Sequence, residues 1–246
     1  MRVAVMGDLH ANLPALEALL EHSRQEGAEA IWNLGDLVGY GAFPEDVVKR
    51  LRASYALSTL GAYDRQVVRF EKRKEKRPKK KGYEEYQVLE WTWGQLSGKS
   101  RKYLRFLSQE IRMQVRGKRV LLSHGGPGDE GGLHTTTAEK QLAKVARDAK
   151  ADLILCGCSH EPFARVVDGV WFVNPGSAGL PTDGDPRVSY AILDLAPDAS
   201  QVYHHRVEYD VERLIAELEK HKLPGALSRA FREGRTLEAI LDSPSG

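Results

Sequence analysis

Along the first third of the chain, short apolar runs typical of strands alternate with apolar residues at helical spacing. A short apolar run at residues 3–6 precedes leucines at helical spacing between residues 13 and 20, with a proline near the helix start. The order then repeats as an apolar run at 30–34, a helical pattern at 44–52 and an apolar run at 55–60. This alternation of strands and helices predicts a largely parallel sheet covered by helices.

The remainder of the chain predicts a more varied arrangement. Two helical patterns come first, then two strands flanking a helix, then three closely spaced strands and a helical tail. These patterns cover, in order, residues 83–93, 100–107, 118–122, 137–149, 151–155, 170–173, 189–193, 201–207 and 210–233. Because short turns separate the last three strands, we expect them to be antiparallel. The sequence therefore predicts one mixed α/β domain over residues 1–246, with a C-terminal helical tail at about 210–240.

Length and composition agree with a single globular domain. The 246 residues are 41% hydrophobic and 28% charged, which suits a soluble protein with a substantial core. No apolar stretch approaches the roughly 20 residues that cross a bilayer, so no membrane contact is expected. The start runs straight into a strand, unlike a secretory signal. Cys156 and Cys158 are poorly placed to pair in one strand, so we expect a cytoplasmic protein with free thiols.

The net charge of +2 conceals one strongly basic segment. Residues 72–81 carry eight basic side chains and one acidic side chain, within an expected insertion at about 70–83. Such a run is typical of a solvated loop, and the alternative is contact with nucleic acid through phosphate pairing and counterion release. The run contains no interleaved aromatic residues for base stacking. The sequence leaves the oligomeric state open.

Metal-ligand side chains follow several of the predicted strands directly. In open α/β sheets the carboxyl ends of strands meet at one edge, so these side chains should converge. All are types that bind metals in proteins, and glycines beside them permit sharp turns. The set consists of Asp8, His10, Asp36, His124, Cys158 and His160. By contrast, His134, His204 and His205 are interpreted as surface residues or residues at the rim of a substrate site.

The motifs that hold these residues resemble those of calcineurin-like metallophosphoesterases, most closely the compact bacterial phosphodiesterase branch. The similar stretches include Gly7-Asp-Leu-His-Ala-Asn12, Leu34-Gly-Asp-Leu-Val-Gly-Tyr-Gly41, Leu122-Ser-His-Gly125 and Asn174-Pro-Gly-Ser177. The resemblance covers almost the whole chain. It implies an α/β fold in the form of a four-layer αββα sandwich of two mixed sheets, with metals at the strand ends.

The resemblance also implies which residues hold one or two divalent ions, namely zinc, manganese or iron. The first ion would be held by the intact set Asp8, His10, Asp36 and His160. The second would share Asp36 as a bridge and use His124. At two further second-site positions the sequence departs from the family pattern, because Ala62 stands in place of an asparagine and Cys158 in place of a histidine.

A third departure concerns catalysis. Tyr63 occupies the position of the histidine that is thought to protonate the leaving group, while Asp64 matches the family pattern. The resemblance implies a phosphodiesterase or phosphatase that hydrolyses a phosphorylated small molecule by a metal-activated hydroxide, with an altered second metal site. Tyr63 and Asp64 are the candidate catalytic residues. The alternative is a catalytically degraded relative that binds a phosphate ligand, a nucleic acid or a partner.

Overall fold

The computed structural model describes residues 1–70, 82–127, 131–197 and 199–243. The predicted basic run at 72–81 lies outside these residues. Two five-stranded sheets form the centre of the molecule. The described strands are β1 Arg2–Met6, β2 Ala30–Asn33, β3 Leu57–Ser58, β4 Glu110–Val115, β5 Lys118–Ser123, β6 Leu153–Leu155, β7 Phe163–Val167, β8 Val170–Asn174, β9 Val188–Asp194 and β10 Gln201–Val207.

Helices cover the outer faces of both sheets. In chain order, the described helices are α1 Leu13–Gln25, α2 Pro44–Ala53, α3 Ala62–Arg69, α4 Tyr83–Gln95, α5 Gly98–Phe106, α6 Glu139–Ala149, α7 Val211–Lys220, α8 Gly225–Glu233 and α9 Leu237–Leu241. Pro14 lies in the first turn of α1 and Pro44 begins α2, where the missing N–H costs no hydrogen bond. No described helix is long and apolar enough to span a bilayer.

Each sheet is mixed. The first has the strand order β10-β9-β1-β2-β3, with β1, β2 and β3 parallel and β9 antiparallel to both of its neighbours. The second has the order β4-β5-β6-β8-β7, with β5, β6 and β8 parallel and antiparallel strands at both edges. The predicted metal ligands lie in the loops that follow the carboxyl ends of β1, β2, β5 and β6.

Alternating side chains divide the core into layers. In β1, Val3 and Val5 pack between the two sheets, whereas Ala4 and Met6 pack against the helices outside the first sheet. On the second sheet, Ile154 of β6 faces outward against α6. The order of layers is helix, sheet, sheet, helix, which confirms the predicted sandwich.

Four strands differ from the prediction. The segment predicted at 55–60 forms only the two-residue strand β3. Strands β4 and β7 were not predicted, because both lie at a sheet edge and carry polar or exposed side chains at alternate positions. Strand β8 was expected in an antiparallel group, yet it pairs parallel with β6 and antiparallel only with β7. The short strand β7 and its turn provide the connection that lets β8 enter the sheet in this direction.

Candidate metal centre

The loops after β1 and β2 continue to pair beyond the ends of their strands. The backbone N–H of Asp8 donates to the carbonyl of Gly35 over 3.0 Å, and that of His10 donates to the carbonyl of Asp36 over 2.9 Å. These bonds fix the two loops to each other. They place three predicted metal ligands side by side at the edge of the first sheet.

The backbone at these ligands is held in the left-handed region. Asp8, His10 and Asp36 have φ values of 54°, 46° and 52°, and Cys158 and His160 have values of 70° and 59°. Non-glycine residues adopt this conformation only where their surroundings impose it, and such strain gathers at functional sites. Five of the six predicted ligands therefore share an unusual backbone conformation.

Gly35 shows why a glycine precedes Asp36. Its φ is +97°, and a Cβ atom there would lie 2.6 Å from the backbone nitrogen of Gly61. The loop after β2 and the loop before α3 approach so closely that a side chain at Gly35 has no room. This close approach also lets the backbone N–H of Tyr63 donate to Oδ1 of Asp36 over 2.7 Å.

The second sheet supplies the remaining side chains. His124 follows β5, and Cys158 and His160 lie in the loop after β6. The backbone N–H of Gly157 donates to the carbonyl of His124 over 2.6 Å, while that of Cys158 donates to Oδ2 of Asp8 over 3.1 Å. The second bond connects the two sheets directly at the site.

The predicted ligands converge on one buried space. Nε2 of His160 lies 3.5 Å from Oδ1 of Asp8 and 3.2 Å from Nε2 of His10. Nε2 of His124 lies 3.4 Å from Oδ2 of Asp36. Two groups of three residues each bring their ligand atoms within 4.8 Å of one another, namely Asp8 with His10 and His160, and Asp8 with Asp36 and His124.

Two carbonyl oxygens set the tautomers of the inward-facing histidines. Nδ1 of His160 lies 2.7 Å from the carbonyl of Leu180, and Nδ1 of His124 lies 2.9 Å from the carbonyl of Leu34. A carbonyl can only accept a hydrogen bond, so each Nδ1 must carry a proton. Each neutral ring therefore directs the lone pair of Nε2 into the site, which is the arrangement of metal-binding histidines.

The residues present fit divalent cations. Oδ1 of Asp8 and Nε2 of His124 are buried and have no hydrogen-bond partner among the described residues. The Nε2 atoms of His10 and His160 face each other at 3.2 Å, where two lone pairs repel unless a cation or proton lies at the site. Carboxylates with imidazoles suit zinc, manganese or iron. Oδ2 of Asp36 lies 4.0 Å from Nε2 of His10 and 3.4 Å from that of His124, so it is placed between the two groups.

Electrostatics in the site follow from burial and from close carboxylates. Burial opposes ionisation of Asp8 and Asp36, but the facing histidines outweigh it and lower the pKa of both carboxyls. The same pairs raise the pKa of His124 and His160 against the effect of burial. For His10 burial prevails and lowers the pKa to about 4. The carboxylates and these two imidazoles therefore favour each other's charged forms.

Cys158 lies at the margin of this constellation. Its side chain interacts with His124 and contributes to the raised pKa of that residue. It joins neither three-residue ligand group within the described part of the chain. Cys158 is partly exposed beside Gly132, whereas Cys156 is buried. Burial raises the pKa of Cys156 to about 12. Metal binding by Cys158 stays a prediction, while Cys156 is part of the apolar core.

Tyr63 lies beside the first ligand group. Its ring centroid is 5.7 Å from that of His10 and 4.5 Å from that of Tyr40, and the two tyrosines are hydrogen-bonded. Burial raises the pKa of Tyr63 well above its usual value and that of Tyr40 to about 12. Both hydroxyls therefore keep their protons at neutral pH and can donate hydrogen bonds. Ala62, at the first position of α3, supplies no ligand atom.

Asp64 has a different place from that expected of a catalytic group. It is fully buried, and its two carboxyl oxygens accept backbone N–H groups from Val38 and Gly61, each over 3.1 Å. Burial and the charge of Asp36 raise its pKa to about 7, against the effect of these hydrogen bonds. The geometry fits a positioning residue that joins the Asp36 loop to the start of α3, and it gives no support to direct contact with a substrate.

Sequence reasoning missed Tyr40, whereas the turn after β8 belongs to the stretch at 174–177 already noted in the sequence. Tyr40 lies 4.9 Å, centroid to centroid, from His10 and forms a wall with Tyr63; its position between two glycines after Asp36 was the available signal. The turn after β8 braces the first loop, because the hydroxyl of Ser177 donates to the carbonyl of Asp8 over 2.9 Å. Asn174 similarly donates to the carbonyl of Gly157 over 3.1 Å.

Comparison with known proteins agrees with this geometry. Residues 1–198 match the family model of the calcineurin-like phosphoesterase superfamily domain. An uncharacterized protein of Methanocaldococcus jannaschii is 32% identical over 95% of this chain and 98% of its own length. A crystal structure of a metallophosphoesterase from Sphaerobacter thermophilus has a TM-score of 0.78 and 28% identity, covering 95% of this chain and 99% of that one. The Escherichia coli phosphodiesterase YfcE is 26% identical over 79% of this chain and 88% of its own length.

Proposed function

Because this chain belongs to the calcineurin-like phosphoesterase superfamily, we propose that it is a metal-dependent phosphodiesterase acting on small phosphorylated molecules. The observation that carries the proposal is the buried convergence of carboxylates and imidazoles from two sheets. The similarity to a phosphodiesterase over most of both chains favours diesters over monoesters. Divalent cations bound here would supply a water of lowered pKa and neutralise charge on the phosphate.

The chain's own residues prepare the site for this reaction. Asp8 and Asp36 provide negative charge where cations would bind, and the carbonyl-bound Nδ1 atoms of His124 and His160 keep their Nε2 lone pairs directed inward. The hydroxyl of Tyr63 keeps its proton, and the ring of Tyr63 lies beside that of His10. We infer that this hydroxyl donates a hydrogen bond to the leaving oxygen or to a phosphate oxygen.

The test uses metal-free protein to which zinc or manganese is added. Hydrolysis of bis-p-nitrophenyl phosphate should exceed that of p-nitrophenyl phosphate, and Asp36→Asn should abolish both activities. Glu217→Gln is a matched control, because Glu217 pairs with Lys220 on the exposed side of α7. If hydrolysis stays at background rates with every metal tested, at full metal occupancy, the proposed enzymatic activity is wrong.

Two observations favour a second candidate, a relative that binds a phosphorylated ligand without hydrolysing it. Ala62 offers no ligand atom, and Cys158 lies outside both ligand groups in the part of the chain that the structure describes. Elemental analysis separates the candidates in part. Two tightly held metals per chain would argue against this second function, and none would argue for it; a single metal would make the hydrolysis assay decisive.

The proposal extends to location and to the basic segment. We infer that the protein acts in the cytoplasm on a small-molecule substrate, and that residues 1–246 form one domain with the basic run as an insertion. Nucleic-acid contact through 72–81 predicts binding that strengthens as salt falls and disappears when 72–81 are deleted. Equal binding with and without these residues would reject that contact.

A further inference from the structure

A second cluster of metal-ligand side chains lies far from the centre already described. His22 and Glu26 are one helical turn apart at the C-terminal end of α1, so they share a face of the helix. His205 of β10 faces them. One ligand atom from each residue lies within 4.8 Å of the others. The metal centre is next to the start of α1, so about 14 Å of helix rise separates it from His22.

The first sheet holds the two histidines in place. Tyr190 of β9 is the cross-strand partner of His205, and their rings stack with centroids 5.2 Å apart. The hydroxyl of Tyr190 lies 2.6 Å from Nδ1 of His22. A hydrogen-bond partner on one ring nitrogen fixes the orientation of an imidazole, so that the other nitrogen can face a metal. The ring of His22 is therefore oriented before any ligand arrives.

One atom of the cluster lacks the partner that its burial requires. Nε2 of His205 is buried and has no hydrogen bond within the described residues. Burial lowers the pKa of His205 against the opposing charge of Glu26, with smaller contributions from His22 and Arg2, so the neutral ring is favoured. A neutral imidazole with a buried, unpartnered nitrogen is available as a metal ligand.

We propose that His22, Glu26 and His205 form a zinc site that fastens the end of α1 to β10. Two imidazoles and one carboxylate are a ligand set that zinc uses, with a fourth position open to water. Imidazole ligands disfavour magnesium and calcium, which prefer oxygen. Arg2 donates to the backbone carbonyl of Glu26, which fixes this residue but adds positive charge nearby. We therefore expect weaker binding than in closed four-ligand sites.

This site is separable from the catalytic centre by experiment. Zinc binding would be measured by competition with a chromophoric chelator in the Asp36→Asn protein, whose main centre is weakened. We expect His205→Ala to reduce the affinity of the remaining site at least about 100-fold, because loss of outer-shell partners alone costs 10–100-fold. Glu26→Gln should reduce it at least about tenfold. The matched control is His221→Ala, which breaks a His–Glu pair at the same helical spacing, 3.0 Å apart, and should leave affinity unchanged.

A second measurement locates the ion in the wild-type protein. Crystals soaked in zinc should give an anomalous peak between His22 and His205 at the zinc absorption edge, and this peak should vanish in His205→Ala. Absence of the peak, binding weaker than about 1 mM, or equal affinity in His205→Ala and His221→Ala would overturn the proposal. None of these results depends on hydrolysis, so the proposed activity and the zinc site can fail independently.

Discussion

Replacing Gly35 by alanine tests the close approach of the loop that carries Asp36 to the loop before α3, which contains Gly61. Gly35 has a φ of +97°, and its carbonyl accepts the backbone N–H of Asp8. A Cβ atom would lie 2.6 Å from the nitrogen of Gly61, whereas ordinary contact begins near 3.4 Å. The loops must therefore separate by about 0.8 Å or adopt another backbone conformation.

Two contributions determine how far Gly35→Ala should lower the free energy of unfolding. A left-handed alanine costs about 1–3 kcal/mol, and a clash against backbone adds about 1–3 kcal/mol. We therefore expect Gly35→Ala to lower the free energy of unfolding by at least about 2 kcal/mol. Since Asp36 moves with this loop and Asp8 is hydrogen-bonded to Gly35, the support of both ligands is disturbed, and loss of such support lowers metal affinity about 10–100-fold. Urea denaturation and isothermal titration with manganese measure the two effects.

The matched control is Gly94→Ala in α4, where a Cβ atom would meet nothing within 4 Å. Alanine is more favourable than glycine inside a helix, so this change should raise stability by about 0.5–1 kcal/mol and leave metal binding unaltered. A Gly35→Ala protein with wild-type metal affinity and wild-type stability would refute the view that loop proximity builds the site.

Three further predictions address single groups. Asp64→Asn should lower stability by about 1–3 kcal/mol in urea denaturation, because one amide oxygen cannot replace two carboxyl oxygens that accept buried N–H groups; an unchanged midpoint would contradict this. Tyr63→Phe should slow hydrolysis of a diester with an alkoxide leaving group about 100-fold, but hardly that of a nitrophenyl ester, at equal metal content; equal losses would exclude proton donation. Burial lowers the pKa values of His124 and His160, but the nearby carboxylates raise them by more. A metal must therefore displace protons from these histidines, and metal affinity should fall as pH falls. Titrations that give the same affinity at about pH 6 and pH 8 would disprove that competition.

The sequence predicts the convergence of ligands within one sheet, because parallel strands end at the same edge. Asp8 and Asp36 follow the parallel strands β1 and β2, whereas His124 follows β5 of the other sheet and reaches them only through the packing of the two sheets. The two-sheet layering came from resemblance to a family, since the periodicity showed strands but not how they divide into sheets. The edge strands β4 and β7 escaped prediction because their exposed positions weaken the apolar pattern.

Side-chain roles were harder to predict than positions. Asp64 follows Tyr63 in a family motif, but only the fold shows that its oxygens are occupied by backbone donors. Tyr40 joins the site through a loop whose shape depends on the neighbouring strand. His205 looks like a surface residue in sequence, because its relation to α1 arises from packing of elements nearly two hundred residues apart. Such contacts are decided by tertiary structure and leave no local pattern.

The origin of the ligands in both sheets has a consequence for assembly. Asp8, His10 and Asp36 belong to one half of the sandwich, while His124 and His160 belong to the other. A chain with only one sheet formed lacks a complete ligand set, so tight metal loading must follow the docking of the halves. Once loaded, an ion joins them and opposes their separation. Tight metal retention therefore marks a fully assembled molecule, and half-folded chains are poor competitors for scarce cations.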